Sequence, residues 1–220
     1  IEASRLFGYT AEETLNTCQS LYETHKVTSY PRTDCGWLPE SQHADAPGVL
    51  NAIAQTFPAT AKACSMADPR IKSPTFNDKK ITAHHGIVPV ANAGDWSKFS
   101  DKEKNIYRLV ARRYLAQFFP THEYDATEIV FNLGGESFVA KGNVVTVRGW
   151  KALFSAKETD DDKPEDHADA QQLPPLVKEE SANVSGVSGK ELQTKPPAYF
   201  TEGMLIAAME NIWRSFDTPA

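Results

Sequence analysis

The sequence predicts an α+β fold in which a mainly helical region precedes a β-rich region. Over residues 1–120, apolar residues recur at the spacing of amphipathic helices, and two helix starts carry the capping-box pattern. After residue 128, β-branched and aromatic residues dominate short segments, and the Gly-Gly pair at 134–135 marks a hairpin turn. These observations divide the chain into a helical domain at 1–120, a β-rich domain at 121–195 and the start of a further helical domain at 196–220.

The first two helices of the helical domain are defined by their ends. Thr10 and Glu13 form a capping box, and apolar residues at helical spacing then predict a helix over 11–25. The second helix is predicted over 44–57, where Pro58 ends it, because proline cannot continue a helix.

The third helix has the clearest pattern in the chain. Ser100 and Glu103 form a second capping box, and the apolar spacing that follows predicts a helix ending near Phe119. The segment 58–80, which contains three prolines, is predicted to be irregular.

The β-rich domain is predicted from alternating and β-branched segments. Strands are expected at 128–133, 136–141, 143–147 and 182–193. A last helix is expected to begin after Thr201, with an apolar face that continues to Ile212.

Charge and composition restrict the function classes. The net charge of −6 argues against a basic, non-specific nucleic-acid binder. Residues 157–170 hold seven acidic side chains and two lysines, so this run is read as a solvated loop and the rest of the chain is close to neutral. Three cysteines without a Cys-x-x-Cys pair predict neither a zinc site nor a disulfide framework.

Targeting signals are also absent from the sequence. There is no apolar run of about 18 residues, so no membrane span is predicted. No basic-then-apolar leader precedes the first helix, and a cytoplasmic location is expected. Because the chain opens on Ile1 in mid-pattern, it is expected to be a piece of a longer protein.

The segment Lys26–Asp34 carries the main candidate for chemistry. Tyr30 is a potential nucleophile, and Arg32 is a permanent cation whose planar fork matches phosphate oxygens. Pro31 between them restricts the backbone of both neighbours, and Thr33 is expected either to cap the turn or to contact a phosphate. A phosphoryl-transfer site fits these residue types, but on spacing alone a structural tyrosine in a turn is by far the commoner arrangement.

A second candidate segment contains adjacent histidines and lysines. His84 and His85 face different directions on any regular element, and no third ligand lies at zinc spacing, so no metal site is predicted in this chain. The alternative to a ligand role is a partly buried histidine that hydrogen-bonds to the backbone. Lys79 and Lys80 are either phosphate contacts or a solvated surface pair.

Three segments together resemble type IA DNA topoisomerases and are closest to the topoisomerase III branch. The first runs from Leu21 to Cys35 and contains the Tyr30 motif, the second from Asp78 to Pro89, and the third from Thr194 to Glu202. They occur in the family's order and spacing. The resemblance covers essentially the whole chain, which is therefore identified as the central region of a multidomain type IA topoisomerase.

The resemblance implies a fold and a reaction. It implies that the domain carrying Tyr30 is a mobile element and that the β-rich domain belongs to a toroidal arch. Tyr30 would attack one strand of single-stranded DNA, forming a transient 5′-phosphotyrosine, with Arg32 assisting and His84 contacting the backbone near the scissile phosphate. His85, Lys79, Lys80 and Thr33 are further candidate DNA contacts.

The resemblance also implies what this chain needs from elsewhere. In the family, Mg²⁺ is held by an N-terminal Toprim domain, and no such pattern occurs in this sequence. The chain alone is therefore expected to be inactive, and its partners are the Toprim and C-terminal parts of its parent, together with DNA at the bacterial nucleoid or on plasmids. The competing hypothesis is a non-catalytic nucleic-acid-binding or interaction module in which Tyr30 is structural.

Overall fold

The structure is a computed structural model whose described residues form two compact units. One unit is built from Ile1–His122, Val147–Asp160 and Thr201–Ala220, and the other from Glu123–Thr146 and Asp161–Phe200. The acidic run predicted to be a solvated loop at 157–170 lies outside the described residues. Those residues are 1–81, 83–154, 173–174, 176–181, 183–189, 191–194, 196, 199–210 and 212.

The first unit is mainly helical, as the apolar periodicity predicts. The helices 11–25 and 44–57 and the helix after Thr201 are confirmed to within about two residues, and the third helix passes into a short 3₁₀ turn, Ala116–Phe118. The helices are α1 (Glu2–Phe7), α2 (Ala11–Glu23), α3 (Ala46–Thr56), α4 (Ala61–Met66), α5 (Asp101–Leu115) and α6 (Glu202–Glu210).

The prediction that 58–80 is irregular is wrong for its first part. Pro58 begins a 3₁₀ turn, Pro58–Thr60, which leads directly into α4. Proline's fixed φ suits the first position of a helical turn, and the residues that follow are good helix formers. Later in the segment, Asp78–Lys80 forms a second 3₁₀ turn, and the rest has no regular structure.

The second unit contains a long β-hairpin. Strands β1 (Glu123–Leu133) and β2 (Glu136–Val147) are the only strands among the described residues. The predicted turn is confirmed: Gly134 and Gly135 have φ of 62° and 89°, which favour glycine at both positions of a tight hairpin. The strands predicted at 136–141 and 143–147 are one continuous strand.

The strand predicted over 182–193 is not found. The described residues 183–189 and 191–193 form no strand and are exposed. A strand exists only where its backbone pairs with a neighbour, and this stretch has no such neighbour among the described residues. Its Ser-Gly pairs at 185–186 and 188–189 also have a low propensity for β-strands.

The core of the first unit lies between α2, α3 and α5. Its largest fully buried side chains include Leu21 of α2, Ile53 of α3, and Tyr107 and Leu115 of α5. Burial raises the pKa of the Tyr107 phenol to about 12. This core determines where α2 ends, and the Tyr30 segment begins immediately after that end.

The two predicted capping boxes are both present, and each also joins α2 to α5. Thr10 and Glu13 cap α2 reciprocally, as Ser100 and Glu103 cap α5. The Lys102 Nζ lies 2.6 Å from Glu13 Oε1, so the cap of one helix is paired with the first turn of the other.

Glu103 makes the second link between these helices. Its Oε1 accepts a hydrogen bond from the Ser20 hydroxyl at 2.6 Å and lies 3.1 Å from His25 Nε2. Burial acts to raise the pKa of Glu103, but the hydrogen bonds from Ser20 and Ser100 and the charge of His25 outweigh it and lower the pKa to about 2. Glu103 therefore fixes the end of α2 that leads to Tyr30.

No helix in the part of the chain that the structure describes is both long and apolar enough to cross a membrane.

Candidate functional site around Tyr30

A left-handed residue turns the chain between α2 and the Tyr30 segment. Lys26 has φ of 54°, and the next amide, Val27 N–H, donates back to the Leu21 carbonyl at 3.0 Å. The Asn92 side chain donates to the Lys26 carbonyl at 2.8 Å. Val27 and Thr28 then enter the core, with 0% and 3% of their surfaces exposed. The backbone before Tyr30 is therefore anchored from both sides.

Backbone pairing brings the Tyr30 and His84 motifs together. Thr28 forms an antiparallel bridge with Pro89, and Ser29 N–H donates to the Val88 carbonyl at 2.8 Å. The Ser29 hydroxyl accepts from Val88 N–H at 3.0 Å, across 59 positions of sequence. The sequence alone gives no register for this pairing, although both motifs were identified from it.

A second crossing lies on the other side of Tyr30. Gly86 N–H donates to the Trp37 carbonyl at 2.8 Å. A Cβ at Gly86 would lie 3.3 Å from the Cys35 carbonyl oxygen and 3.4 Å from the Gly36 carbonyl carbon, which is closer than an ordinary contact, so the crossing favours glycine. The segments on both sides of Tyr30 are thus held by the segment that carries His84.

The Tyr30 ring lies at the surface between two other rings. Its side chain is 40% exposed. Tyr22 contacts it edge-on at a centroid distance of 5.6 Å, and His84 contacts it at 5.4 Å with a tilt of 49°. Among the described residues, none forms a hydrogen bond with the Tyr30 hydroxyl. The phenol is therefore held through its ring, and no described residue engages its oxygen.

The Thr33 side chain makes a hydrogen bond within the turn, whereas the Arg32 side chain has no hydrogen-bond or ion-pair partner among the described residues. The Thr33 hydroxyl accepts a hydrogen bond from Cys35 N–H at 3.0 Å, which is the turn-capping alternative of the sequence hypothesis. Arg32 is exposed, and no described residue forms an ion pair or hydrogen bond with it. Its guanidinium is available for an anion beside Tyr30.

The two adjacent histidines have different partners. His84 is exposed and packs on Tyr30. His85 is half-buried: its Nδ1 lies 2.7 Å from the Gly86 carbonyl, and its Nε2 lies 3.0 Å from the Gln42 amide nitrogen. Because a carbonyl only accepts, Nδ1 carries the proton and Nε2 accepts from Gln42. The structure therefore brings His84, and not His85, to Tyr30.

The predicted lysine pair lies beside the second crossing. Lys79 and Lys80 form the exposed end of the 3₁₀ turn capped by Asn77. The Lys80 Nζ lies 5.8 Å from the centroid of the Trp37 ring, and Trp37 is half-buried rather than a core residue. A cation thus lies over the indole whose backbone carbonyl accepts from Gly86.

Sequence reasoning missed three residues that hold this site. Tyr22 lies in the segment Leu21–Cys35 and at helical spacing in α2, but the sequence assigned it no role at the site. It is the penultimate residue of α2 and contacts the Tyr30 ring. Gln42 and Asn92 lie in segments without a motif. Their roles depend on side-chain contacts across 43 and 66 positions, which no local pattern indicates.

A metal centre needs several donor side chains that converge on one point. In the ranges that the structure describes, no group of three or more His, Cys, Asp or Glu side chains is placed to hold a metal ion. The residues present at this site therefore do not fit a metal centre.

Comparison with known proteins gives consistent similarities over nearly the whole chain. A family model described as DNA topoisomerase matches residues 1–214. The chain is 38% identical over 214 residues to DNA topoisomerase 3 of Vibrio cholerae serotype O1, covering 97% of this chain and 32% of that protein. It is 39% identical over 212 residues to DNA topoisomerase 3 of Bacillus subtilis, covering 96% and 29%. The corresponding Bacillus anthracis protein is 36% identical over 229 residues, covering 99% and 30%. The chain thus spans about a third of the length of these curated relatives.

Proposed function

We propose, from the premise that this chain belongs to the DNA topoisomerase family in its type IA, topoisomerase III branch, that its full-length parent cleaves and rejoins one DNA strand through Tyr30. The observation that carries this proposal is the convergence of two remote motifs on an exposed phenol. Ser29 pairs with Val88, and His84 packs on the Tyr30 ring. A tyrosine held by its ring with a free hydroxyl has the geometry of a nucleophile at a surface that DNA can reach.

The reaction assigned to Tyr30 is a phosphoryl transfer. The phenol gives up its proton to solvent as its oxygen attacks the scissile phosphorus. The O–P bond to tyrosine forms, and the bond from phosphorus to the 3′ oxygen of the neighbouring nucleotide breaks. The departing 3′ oxygen takes up a proton, and the DNA keeps its 5′ phosphate as an ester of Tyr30. The reverse attack by the 3′ hydroxyl restores the strand after another strand has passed.

Arg32 and His84 are assigned to the phosphate. Arg32 is two residues from the nucleophile and is unpaired among the described residues, so its fork can bind two phosphate oxygens and stabilise the charge that develops there. His84 lies against the Tyr30 ring and can donate to an oxygen of the same or the adjacent phosphate.

The remaining candidate contacts are exposed or partly exposed. Lys79, Lys80 and Thr33 are proposed to meet the DNA backbone, where lysines act as sequence-independent contacts. His85 has both ring nitrogens engaged by Gly86 and Gln42, so a DNA contact through it would require an exchange of partners.

The rest of the parent is proposed to supply what this chain lacks. Single-stranded DNA is the proposed substrate. Mg²⁺ is proposed to be held by a Toprim domain outside this chain, and the roles assigned to Tyr30, Arg32 and His84 do not include binding the ion. The divisions at 1–120, 121–195 and 196–220 are proposed as the parent's domain boundaries. A cytoplasmic location, at the nucleoid or on plasmids, follows from the same proposal.

The test is relaxation of negatively supercoiled plasmid by the full-length parent. Tyr30→Phe removes only the hydroxyl and is expected to abolish relaxation while DNA binding persists. Tyr22→Phe, which makes the same change in the neighbouring ring, is the matched control and is expected to relax DNA normally. Unchanged relaxation by Tyr30→Phe would favour the binding-module alternative, for which the packing of Tyr30 between two rings is the supporting observation.

A further inference from the structure

Two donors from different segments meet at one backbone carbonyl, that of the buried Gly86. The His85 Nδ1 lies 2.7 Å from this oxygen, and the Ser29 hydroxyl lies 3.4 Å from it, which is longer than an ordinary hydrogen bond. His85 follows His84 in the chain, and Ser29 precedes Tyr30. The Gly86 carbonyl therefore lies where the two segments of the candidate site are joined.

The Gln42 side chain determines which nitrogen of His85 carries the proton. Its amide nitrogen lies 3.0 Å from His85 Nε2. A neutral imidazole has one donor and one acceptor nitrogen, so an amide that donates to Nε2 leaves the proton on Nδ1, where it reaches the Gly86 carbonyl. With the proton on Nε2 instead, the lone pair of Nδ1 would face the carbonyl oxygen, and this contact would be repulsive.

Gln42 is well placed to hold His85 because its own backbone is anchored. It lies in the 3₁₀ turn Glu40–Asp45, in which the next residue, His43, has its Nε2 2.9 Å from the Ile71 carbonyl. Gln42 and His85 also line a cavity of about 190 Å³, which has room for water. Because water can either donate or accept, water in place of the amide would not select one tautomer of His85.

His84 has no comparable anchor of its own. It is exposed, and no described residue forms a hydrogen bond with its ring, which packs on the Tyr30 ring at a centroid distance of 5.4 Å. The backbone that follows His84 therefore controls where its imidazole lies. That backbone is held by the contact between the His85 ring and the Gly86 carbonyl.

We propose that Gln42 and His85 are positioning residues for strand cleavage at Tyr30: Gln42 keeps His85 protonated at Nδ1, and this N–H holds the Gly86 carbonyl so that His84 lies against Tyr30. In this role His85 acts from behind the site, because both of its ring nitrogens are engaged by protein groups. The inference rests on the proposed function, in which His84 meets the phosphate that Tyr30 attacks. A misplacement of about 1 Å in such a group can slow a reaction about a hundredfold.

The first test compares two amide replacements of His85 in the full-length parent. The measurement is the single-turnover rate of adduct formation at saturating single-stranded DNA. His85→Asn places an amide nitrogen as many bonds from Cβ as Nδ1 is, whereas His85→Gln places it as many bonds away as Nε2. His85→Gln is expected to slow the reaction about ten- to a hundredfold, and His85→Asn is expected to be at least about fivefold faster than His85→Gln. Equal rates of the two variants would overturn the role of the Nδ1 proton.

The second test removes the amide that selects the tautomer. Gln42→Met keeps the length of the side chain, and it is expected to slow adduct formation about three- to tenfold, because water can replace the amide only without selecting the tautomer. Gln55→Met, at an exposed glutamine of α3, is the matched control and is expected to react at the normal rate. An equal loss of rate in the two variants would overturn the role of Gln42.

The affinity for DNA separates positioning from a direct contact. It is measured with single-stranded DNA in the Tyr30→Phe background, so that no adduct forms. His85→Gln and Gln42→Met are expected to leave this affinity within about twofold of the unmutated value, since neither group touches DNA. A loss of affinity as large as the loss of rate would assign His85 to DNA contact and overturn the inference.

A double-mutant cycle shows whether His85 acts through His84. His84→Ala alone is expected to slow adduct formation, and the addition of His85→Gln is expected to slow it less than about twofold further, because the group that is positioned is already gone. The same fold loss from His85→Gln with and without His84 would overturn the inference.

Mapping of the adduct distinguishes a failure of this inference from a failure of the proposed function. An adduct on Tyr30 that forms at the normal rate in His85→Gln leaves the function in place and overturns the inference alone. An adduct of the unmutated parent on a residue other than Tyr30 overturns the proposed function, and the inference with it.

Discussion

At the scale of single residues, the site depends on rings and a glycine that hold Tyr30 without engaging its hydroxyl. Tyr22 and His84 contact the Tyr30 ring, and Gly86 allows the neighbouring backbones to cross. The sequence could identify Tyr30, Arg32 and His84 as candidates because each lies within a short local motif. It could not identify Tyr22, since an aromatic residue at helical spacing is equally typical of a core position.

Tyr22 is predicted to position Tyr30 through its ring. An edge-on aromatic pair contributes about 0.5–1.5 kcal/mol, so Tyr22→Leu in the full-length parent is expected to slow adduct formation about three- to tenfold. Tyr22→Phe keeps the ring and is expected to react at the normal rate. The measurement is single-turnover trapping of the adduct. Leu15→Ala, at an equally exposed position of α2, is the control, and an equal loss there would contradict a specific role for Tyr22.

Gly86 is predicted to be required for the backbone crossing. Gly86→Ala places a methyl group 3.3–3.4 Å from the Cys35 and Gly36 backbone, and overpacking of this kind destabilises proteins by about 1–3 kcal/mol. The free energy of unfolding from urea titration of the 220-residue chain is the measurement. Gly36→Ala is the matched control, because nothing lies within 4 Å of a Cβ built at Gly36. If the two variants have the same free energy of unfolding, the prediction that Gly86 is needed at the crossing is wrong.

At the scale of secondary-structure elements, local sequence patterns predicted helix caps and turns correctly, but they did not predict which segments pair as strands. The capping boxes of α2 and α5 and the Gly134-Gly135 turn were predicted because each depends on residues within four positions of one another. The prediction of a strand over 182–193 was wrong, because a strand forms only where a second strand pairs with its backbone. Helix α4 was missed, because six residues are too few to show the helical spacing of apolar side chains.

Glu103 is predicted to stabilise the packing of α2 on α5 in a pH-dependent way. Glu103→Gln removes the charge that accepts from Ser20 and Ser100, and is expected to lower the free energy of unfolding by about 1–3 kcal/mol at pH 7. Folding lowers the pKa of Glu103 from 4.5 to about 2, so its stabilisation is complete above about pH 4.5 and is lost as the pH falls through 2.

Urea titrations from pH 7 to pH 2 measure this difference. The stabilities of the 220-residue chain and its Glu103→Gln variant are expected to converge as the pH falls. Glu12→Gln, an exposed position in the first turn of α2, is the control and is expected to change the stability little at any pH. A constant difference between the Glu103 variant and the unmutated chain across this range would show that the charge of Glu103 is not responsible.

At the scale of the whole molecule, the family was predictable and the register of the site was not. Three motifs in order identify the family, and the family model and the relatives confirm it. The pairing of Ser29 with Val88 and of Gly86 with Trp37 joins distant segments, and no local pattern encodes those contacts.

The 220-residue chain alone is predicted not to cleave DNA. Its described residues offer no group of three metal ligands, and it spans about a third of the length of its relatives. Incubation with labelled single-stranded DNA and Mg²⁺ is expected to leave the strand intact, and addition of a separately made Toprim fragment of the parent is expected to restore adduct formation. Cleavage of the DNA strand by the isolated chain would contradict the prediction that it needs the Toprim fragment.

The most direct test of the central claim is to map the covalent adduct in the full-length parent. The enzyme is trapped on labelled single-stranded DNA with Mg²⁺, digested with protease, and the DNA-linked peptide is sequenced by mass spectrometry. We expect the peptide to contain Tyr30 joined to a 5′ phosphate, and the adduct to be absent in Tyr30→Phe. An adduct on any other residue, or one that persists in Tyr30→Phe, would contradict the assignment of Tyr30 as the nucleophile.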